Sequence, residues 1–281
     1  MIQTSIQLKA LIRNKSKGVS SNAQALIRCY MMERFLERLS CSQYRNFIII
    51  KGGLLLTSIL GIENRSTMDL DATIQNFSFD QERLHKVTQE ICLIKLDDGI
   101  HFDIIRSQSI MSESQYPGIR FHMKATLESM KISFYIDYSA GDVITPCHMK
   151  YLFPMLFESR NISLFTYNIE TILAEKFETI ISRGVSNTRM RDFYDIHVLL
   201  NNKIDIIDSL ILSEAIINTT KNRGSYSLIQ DYKVIINEIQ YNKAMYSLWK
   251  DYQSKFDYAT YISWDDVIVS IQQLKSILEI R

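Results

Sequence analysis

Asp69 and Asp71 stand two residues apart in MDLDATI, where apolar and polar residues alternate. That period reads as a strand, and residues i and i+2 of a strand share a face. Two neighbouring carboxylates repel unless a cation lies between them, so the pair is a clamp for a hard ion, Mg²⁺ with Mn²⁺ as the alternative. Acids at this spacing also occur on ordinary solvent-facing strands, so the surrounding residues decide. Lys51-Gly52-Gly53 lies between FIII, a short β-branched strand, and LLLTSILG, a short helix stopped by Gly61. Glycines let the backbone approach a ligand closely, and free N–H groups at a helix start attract phosphate. A glycine pair alone is equally a plain tight turn. An anion cradle followed by an acidic strand is what transfer of a nucleotidyl group from a triphosphate needs. A third acid, Asp137, lies in KISFYIDY, where alternation puts Ser133, Tyr135 and Asp137 on one face and Phe134 and Ile136 on the other. Such a carboxylate can hold a second ion and activate the attacking hydroxyl. Asp103 in HFDII competes for that role but reads better as a structural strand-face acid, and Asp142 after Gly141 as a turn residue.

Other chemistry-bearing residues show no site spacing. His85, His101, His122, His148 and His197 form no paired-ligand pattern, and Cys29, Cys41, Cys92 and Cys147 form no CxxC. The cysteines read as reduced thiols. The aromatic tail with Tyr226, Tyr232, Tyr241, Tyr246, Trp249 and Tyr252 reads most simply as core and helix contacts. A second reading makes it a stacking surface for RNA, helped by Lys221, Arg223, Lys233 and Lys243.

The elements that must position these residues follow two periods. Ser21 and Asn22 can cap a helix through AQALIRCYMMERFLERLS, with Leu26, Tyr30, Phe35 and Leu39 as its apolar stripe. After the acidic strand comes a helix over DQERLHKVTQEICL, then three alternating segments, IHFDIIR, GIRFHMKATL and KISFYIDY, as strands of the same sheet. The three prolines, Pro117, Pro146 and Pro154, fall in one window, and Gly141 to Pro154 reads as the passage between two halves. Beyond Pro154 the period becomes helical in five segments, with no convincing strand. The expected fold class is α+β: a mixed sheet with flanking helices over residues 1–150, joined to a helical bundle over 151–281.

The chain has 281 residues, 46% hydrophobic and 22% charged, which suits packed domains rather than disorder. A formal net charge of +1 argues against a coating, histone-like nucleic-acid binder. No stretch approaches the roughly 18 apolar residues of a membrane span. MIQTSIQLKALIRNK lacks the apolar core of a secretory signal, so the expected location is the cytoplasm.

In the order KGGLLLTSILG, RSTMDLDATI, YPGIRFHMKATL, FYIDYSAGDVITP, TILAEKFETII and NTRMRDFYDIHVLL, residues Phe47 to Leu200 resemble the AbiEii-type nucleotidyltransferase toxins, of the polymerase-β-like fold. The resemblance places an acidic clamp on Asp69 and Asp71, with Asp137 in the third-carboxylate block. It also implies catalytic roles for Lys176 and Asp192, and nucleotide contacts at Lys51, Gly52, Gly53, Ser66, Thr67, Lys176, Arg191 and Asp195. Many relatives carry Ser or Thr directly after the glycine pair, where this chain has Leu54. From its helical position alone, Lys176 reads as a solvated surface lysine, and the RDFYD segment as an exposed, ion-paired helix start. The resemblance instead implies that Lys176 and RDFYD line a cleft. It further implies a Mg²⁺-dependent toxin that moves a nucleoside monophosphate from NTP to RNA, such as the 3′ end of tRNA. A separately encoded antitoxin would oppose it. The alternatives are transfer to a protein or small molecule, or an inert nucleotide- or RNA-binding module.

Overall fold

A computed structural model of the chain describes residues 2–16, 20–111 and 117–278, with side chains left aside at 20–22, 111, 117 and 275–278. The chain divides into two compact units, Met1–Gly141 with Met149–Thr166, and Asp142–His148 with Tyr167–Arg281.

The first unit begins with α1 (Ser5–Lys15), capped by the Thr4 hydroxyl, which accepts from the Gln7 N–H. Helix α2 (Ser20–Cys41) follows. Ser21 and Asn22 lie inside its first turn rather than at its cap, and their side chains are outside the described residues. Then come β1 (Ile48–Lys51), α3 (Gly52–Leu60), β2 (Asp69–Ile74), α4 (Gln81–Cys92), β3 (Ile100–Met111), β4 (Pro117–Leu127), β5 (Met130–Ala140), β6 (Met149–Pro154) and β7 (Asn161–Thr166). The seven strands form one mixed sheet in the order β3-β4-β5-β2-β1-β7-β6. Strands β3, β4 and β5 make an antiparallel meander, β5 runs parallel to β2, and β1 runs parallel to β7.

Alternation gives the sheet two unlike faces. Phe121, Met123, Phe134, Ile136, Leu70 and Ala72 are buried on one, and α2 and α4 pack on this part of the molecule. Leu26, Tyr30, Phe35 and Leu39 are all buried, as the stripe predicts. The other face of β4, β5 and β2 carries half-buried polar residues, among them Asp69, Asp71 and Asp137.

The β6–β7 hairpin departs from the expectation of no strand beyond Pro154. Adjacent apolar residues, Tyr151 to Phe153 in β6 and Leu164 with Phe165 in β7, blur the period, and Pro154 terminates β6 on the outer edge of the sheet, where a missing N–H costs no ladder bond.

The second unit holds α5 (Ile169–Arg183), α6 (Met190–Lys203), α7 (Ser209–Asn222), α8 (Tyr232–Tyr241), α9 (Lys243–Lys255) and α10 (Trp264–Leu278). One of the five helical segments expected beyond Pro154, IQDYKVIINEIQYNKAMYSLWKDY over residues 229–252, is split into α8 and α9 at Asn242. Its side-chain oxygen accepts from the Ala244 and Met245 N–H groups and starts a new helix. Residues 142–148 belong here because the Thr145 N–H donates to Thr171 Oγ1 at 3.0 Å and its carbonyl accepts from Asn168 Nδ2. Of the aromatic tail, Tyr232, Trp249 and Tyr252 are core, whereas Tyr226, Tyr241 and Tyr246 are exposed. Among the described residues no helix is long and apolar enough to cross a membrane.

Candidate active site

Strand register assembles the acids. Asp71 pairs with Asp137 across β2–β5, Asp137 with Arg120 across β5–β4, and Asp71 with Lys51 across β2–β1. Directly opposed residues share a face, so four strands carry one row: Arg120, Asp137, Asp71, Lys51. A second row on the same face reads His122, Tyr135, Asp69. Arg120 grips Asp137 with two parallel bonds, Nε to Oδ1 at 2.8 Å and Nη2 to Oδ2 at 2.6 Å. Its guanidinium also lies 4.9 Å from the centre of the Tyr135 ring. Those bonds, with the charges of Asp137, Asp69 and Asp71, push the Arg120 pKa up. Burial pushes the Asp137 carboxyl up, and the Asp71 charge adds to this, against the pull of Arg120. His122 packs edge-on against Tyr135 at 4.7 Å and is pushed down, chiefly by burial and then by Arg106 and Arg120.

The glycine turn meets the same row. Gly52 has φ +68°, and a β-carbon there would lie 2.0 Å from Asp71 Oδ2. The Gly53 N–H donates to that oxygen at 3.1 Å, so an amide of the expected anion cradle holds Asp71 in this structure. A β-carbon on Gly53 would meet the Thr67 hydroxyl at 2.5 Å. Thr67 is buried, and its hydroxyl bonds the backbone of Asp69, accepting from the N–H and donating to the carbonyl. Thr67 thus shapes the entry to β2. Ser66 is half-buried, and its carbonyl accepts from the buried Arg65. Leu54 is buried, so its side chain is part of the core.

Lys176, Asp192 and Asp195 form a separate cluster in the second unit. Lys176 Nζ lies 2.8 Å from Asp192 Oδ1 and 2.7 Å from Asp195 Oδ2. The lysine side chain is 12% exposed and the two acids 2% and 0%, which corrects both the solvated lysine and the exposed helix start. Arg189 Nε lies 2.8 Å from Asp192 Oδ2 without hydrogen-bond alignment. Arg191 turns elsewhere, its guanidinium 5.8 Å from the Phe256 ring centre.

Sequence reasoning missed Arg120, His122 and Arg65. The first two had a signal: GIRFHMKATL alternates, and the tight turn at Glu128–Ser129 fixes which residues of β4 and β5 face each other. Arg65 had none, because a buried arginine in a loop has no local pattern.

Asp69 and Asp71 offer hard carboxylate oxygens on one strand face, a donor set that fits Mg²⁺. Asp137 has both oxygens on Arg120. Among the described residues, no three His, Cys, Asp or Glu side chains are grouped to hold a metal ion.

A mixed sheet with a strand–glycine–helix turn against acid-bearing strands belongs to an enzyme of the nucleotidyltransferase class. The family model for the nucleotidyl transferase AbiEii toxin of type IV toxin–antitoxin systems matches residues 34–269, and the chain belongs to that family. Membership implies an NTP substrate and an antitoxin partner. JHP933 from Helicobacter pylori is similar in structure, with 16% identity, TM-score 0.48, and coverage of 91% of this chain and 94% of that one. A second solved structure, of a candidate nucleotidyltransferase from H. pylori, has 17% identity and TM-score 0.47, with coverage of 91% of this chain and 96% of that one. A comparison with curated proteins found no match.

Proposed function

We propose that this nucleotidyltransferase toxin is Mg²⁺-dependent and transfers a nucleoside monophosphate from NTP to a hydroxyl of RNA, the tRNA 3′ end being the first acceptor to test. The observation that carries the reading is the register of Asp69, Asp71 and Asp137 beside Gly52 and Gly53. Asp69 and Asp71 would hold the ion, which when bound offsets charge on the reacting phosphates. Gly52 and Gly53 let the main chain come close to the triphosphate, and Lys51 adds positive charge beside it. Asp137 is assigned to the acceptor hydroxyl, with Arg120 setting the direction of its oxygens. Lys176, with Arg191, is assigned to phosphate charge, and Asp192 and Asp195 to holding the lysine amine in place at the nucleotide. Ser66 and Thr67 serve the nucleotide indirectly, through the backbone they brace ahead of Asp69.

The test incubates the protein with each labelled NTP and, in separate reactions, total RNA, protein extract or small molecules. Label in the RNA fraction, absent with Asp71→Asn, supports the proposal. Label only in protein or small molecules would replace RNA as the acceptor, and NTP binding without any transfer would leave an inert binding module.

A further inference from the structure

The charge sequence along the four-strand row is positive, negative, negative, positive: Arg120, Asp137, Asp71, Lys51. Nothing in a two-ion acidic site requires an arginine on one of its carboxylates. Here the fork takes both oxygens of Asp137, and the pair is half-buried, the arginine 31% and the carboxylate 16% exposed. Arginine cannot deprotonate in a protein, so this cation is permanent. It is also fixed in place by the Tyr135 ring beneath it and by strand register on both sides. A divalent ion approaching Asp137 must displace a bidentate partner and then sit next to the cation it displaced. Asp71 faces Lys51 in register rather than an arginine fork, and gives one oxygen to a backbone amide.

We infer that Arg120 is the resident counter-cation of Asp137, standing where a second divalent ion would be held, so that without nucleotide the acid row binds a single ion, at Asp69 and Asp71. This rests on the metal reading of those two acids given above. Arg120 is therefore a positioning residue that sets ion stoichiometry and keeps the Asp137 oxygens aimed.

Titration with Mn²⁺ alone, followed by electron paramagnetic resonance of the free ion, reads stoichiometry without any turnover. The full chain should bind one Mn²⁺. Arg120→Gln should bind two, its second site tighter than any second site of the wild type by about tenfold or more, as opposite-charge removal at this range implies. The double variant Arg120→Gln/Asp137→Asn should return to one. Asp137→Asn alone should still bind one ion, more weakly because Arg120 is left without its carboxylate beside Asp71, which keeps the test usable if Arg120→Gln folds poorly. Two equal ions on the wild type, or an Arg120→Gln protein that still binds one, would overturn the role of Arg120 while leaving the clamp intact. No Mn²⁺ bound at any concentration would remove the clamp and the inference together.

Discussion

At the scale of single residues, Gly52 and Lys176 are the positions where local geometry makes the firmest demands. Gly52 combines a left-handed backbone with a missing side chain, because a β-carbon would occupy the space of Asp71 Oδ2. Gly52→Ala should destabilise by about 1–3 kcal/mol from backbone strain, and should abolish transfer because Asp71 has to move. A melting curve and a label-transfer assay check both. Unchanged transfer would mean that the Gly52–Asp71 contact is dispensable. Lys176 presents the opposite case, a charge needed for stability. Its removal leaves Asp192 and Asp195 buried without their shared cation, so Lys176→Ala should cost about 3–5 kcal/mol. Adding Asp195→Asn to Lys176→Ala should recover part of that loss, since it removes one of the two buried charges the lysine held, the other keeping Arg189. Urea midpoints for the single and double variants decide. A loss under about 0.5 kcal/mol, the size typical of surface changes, would return Lys176 to the solvated reading. The lysine and its acids were legible as residues, but their burial was not, because it depends on how α5 and α6 pack.

At the scale of elements, α2 shows what period alone cannot convey. Its apolar stripe was readable, yet Glu33, Arg34, Glu37 and Arg38 on the same helix are buried too. Arg34 and Arg38 both reach Asp98, and Glu37 meets Arg160 at 2.7 Å. Charged residues ordinarily mark the solvated side of a helix, so this ridge is invisible until its partners from the turn before β3 and from the β6–β7 hairpin are known. Asp98 is held low by Arg38 and Arg34 although burial opposes them. Glu33 has no such fork; burial pushes it up to about 8, and its oxygen accepts from the Leu156 N–H at 2.5 Å. A carboxyl raised in the folded state binds a proton that the unfolded chain has released. Its contribution is full below the unfolded value near 4.5 and is lost as pH rises through about 8. Between pH 7 and 8 this should remove about 1 kcal/mol. The half-buried histidines His122 and His197, both shifted down, are already neutral there, and the raised Cys29 and Cys92 remain protonated in the fold. Thermal melts of wild type across this interval should fall, and those of Glu33→Gln should be flatter. Equal slopes would show that Glu33 does not titrate in the window.

At the scale of the whole molecule, the strands and helices were largely readable one by one, while their division into units was not. The acid row is a case of the first kind, since two alternating segments, MDLDATI and KISFYIDY, put Asp69, Asp71 and Asp137 on the half-buried face they occupy. The division is a case of the second, because it depends on contacts far apart in the chain. The chain leaves the sheet unit at Asp142, returns at Met149 and leaves again at Tyr167. None of the three crossings carries a compositional signal beyond the glycine and prolines around the first two. A cut after residue 150 therefore divides β6 after its second residue and deletes β7, the neighbour of both β6 and β1. Strand β1 carries Ile48, Ile49 and Ile50, all buried, so its loss of a partner exposes core rather than surface. A fragment of residues 1–150 should fail to fold, whereas 1–166 keeps every strand of the sheet. The expected result is a cooperative melt and dispersed amide spectrum for 1–166, and neither for 1–150. If 1–150 melts cooperatively, the hairpin is an appendage of the sheet and β1 does not depend on β7. If 1–166 also fails, the sheet needs more of the chain than its own strands.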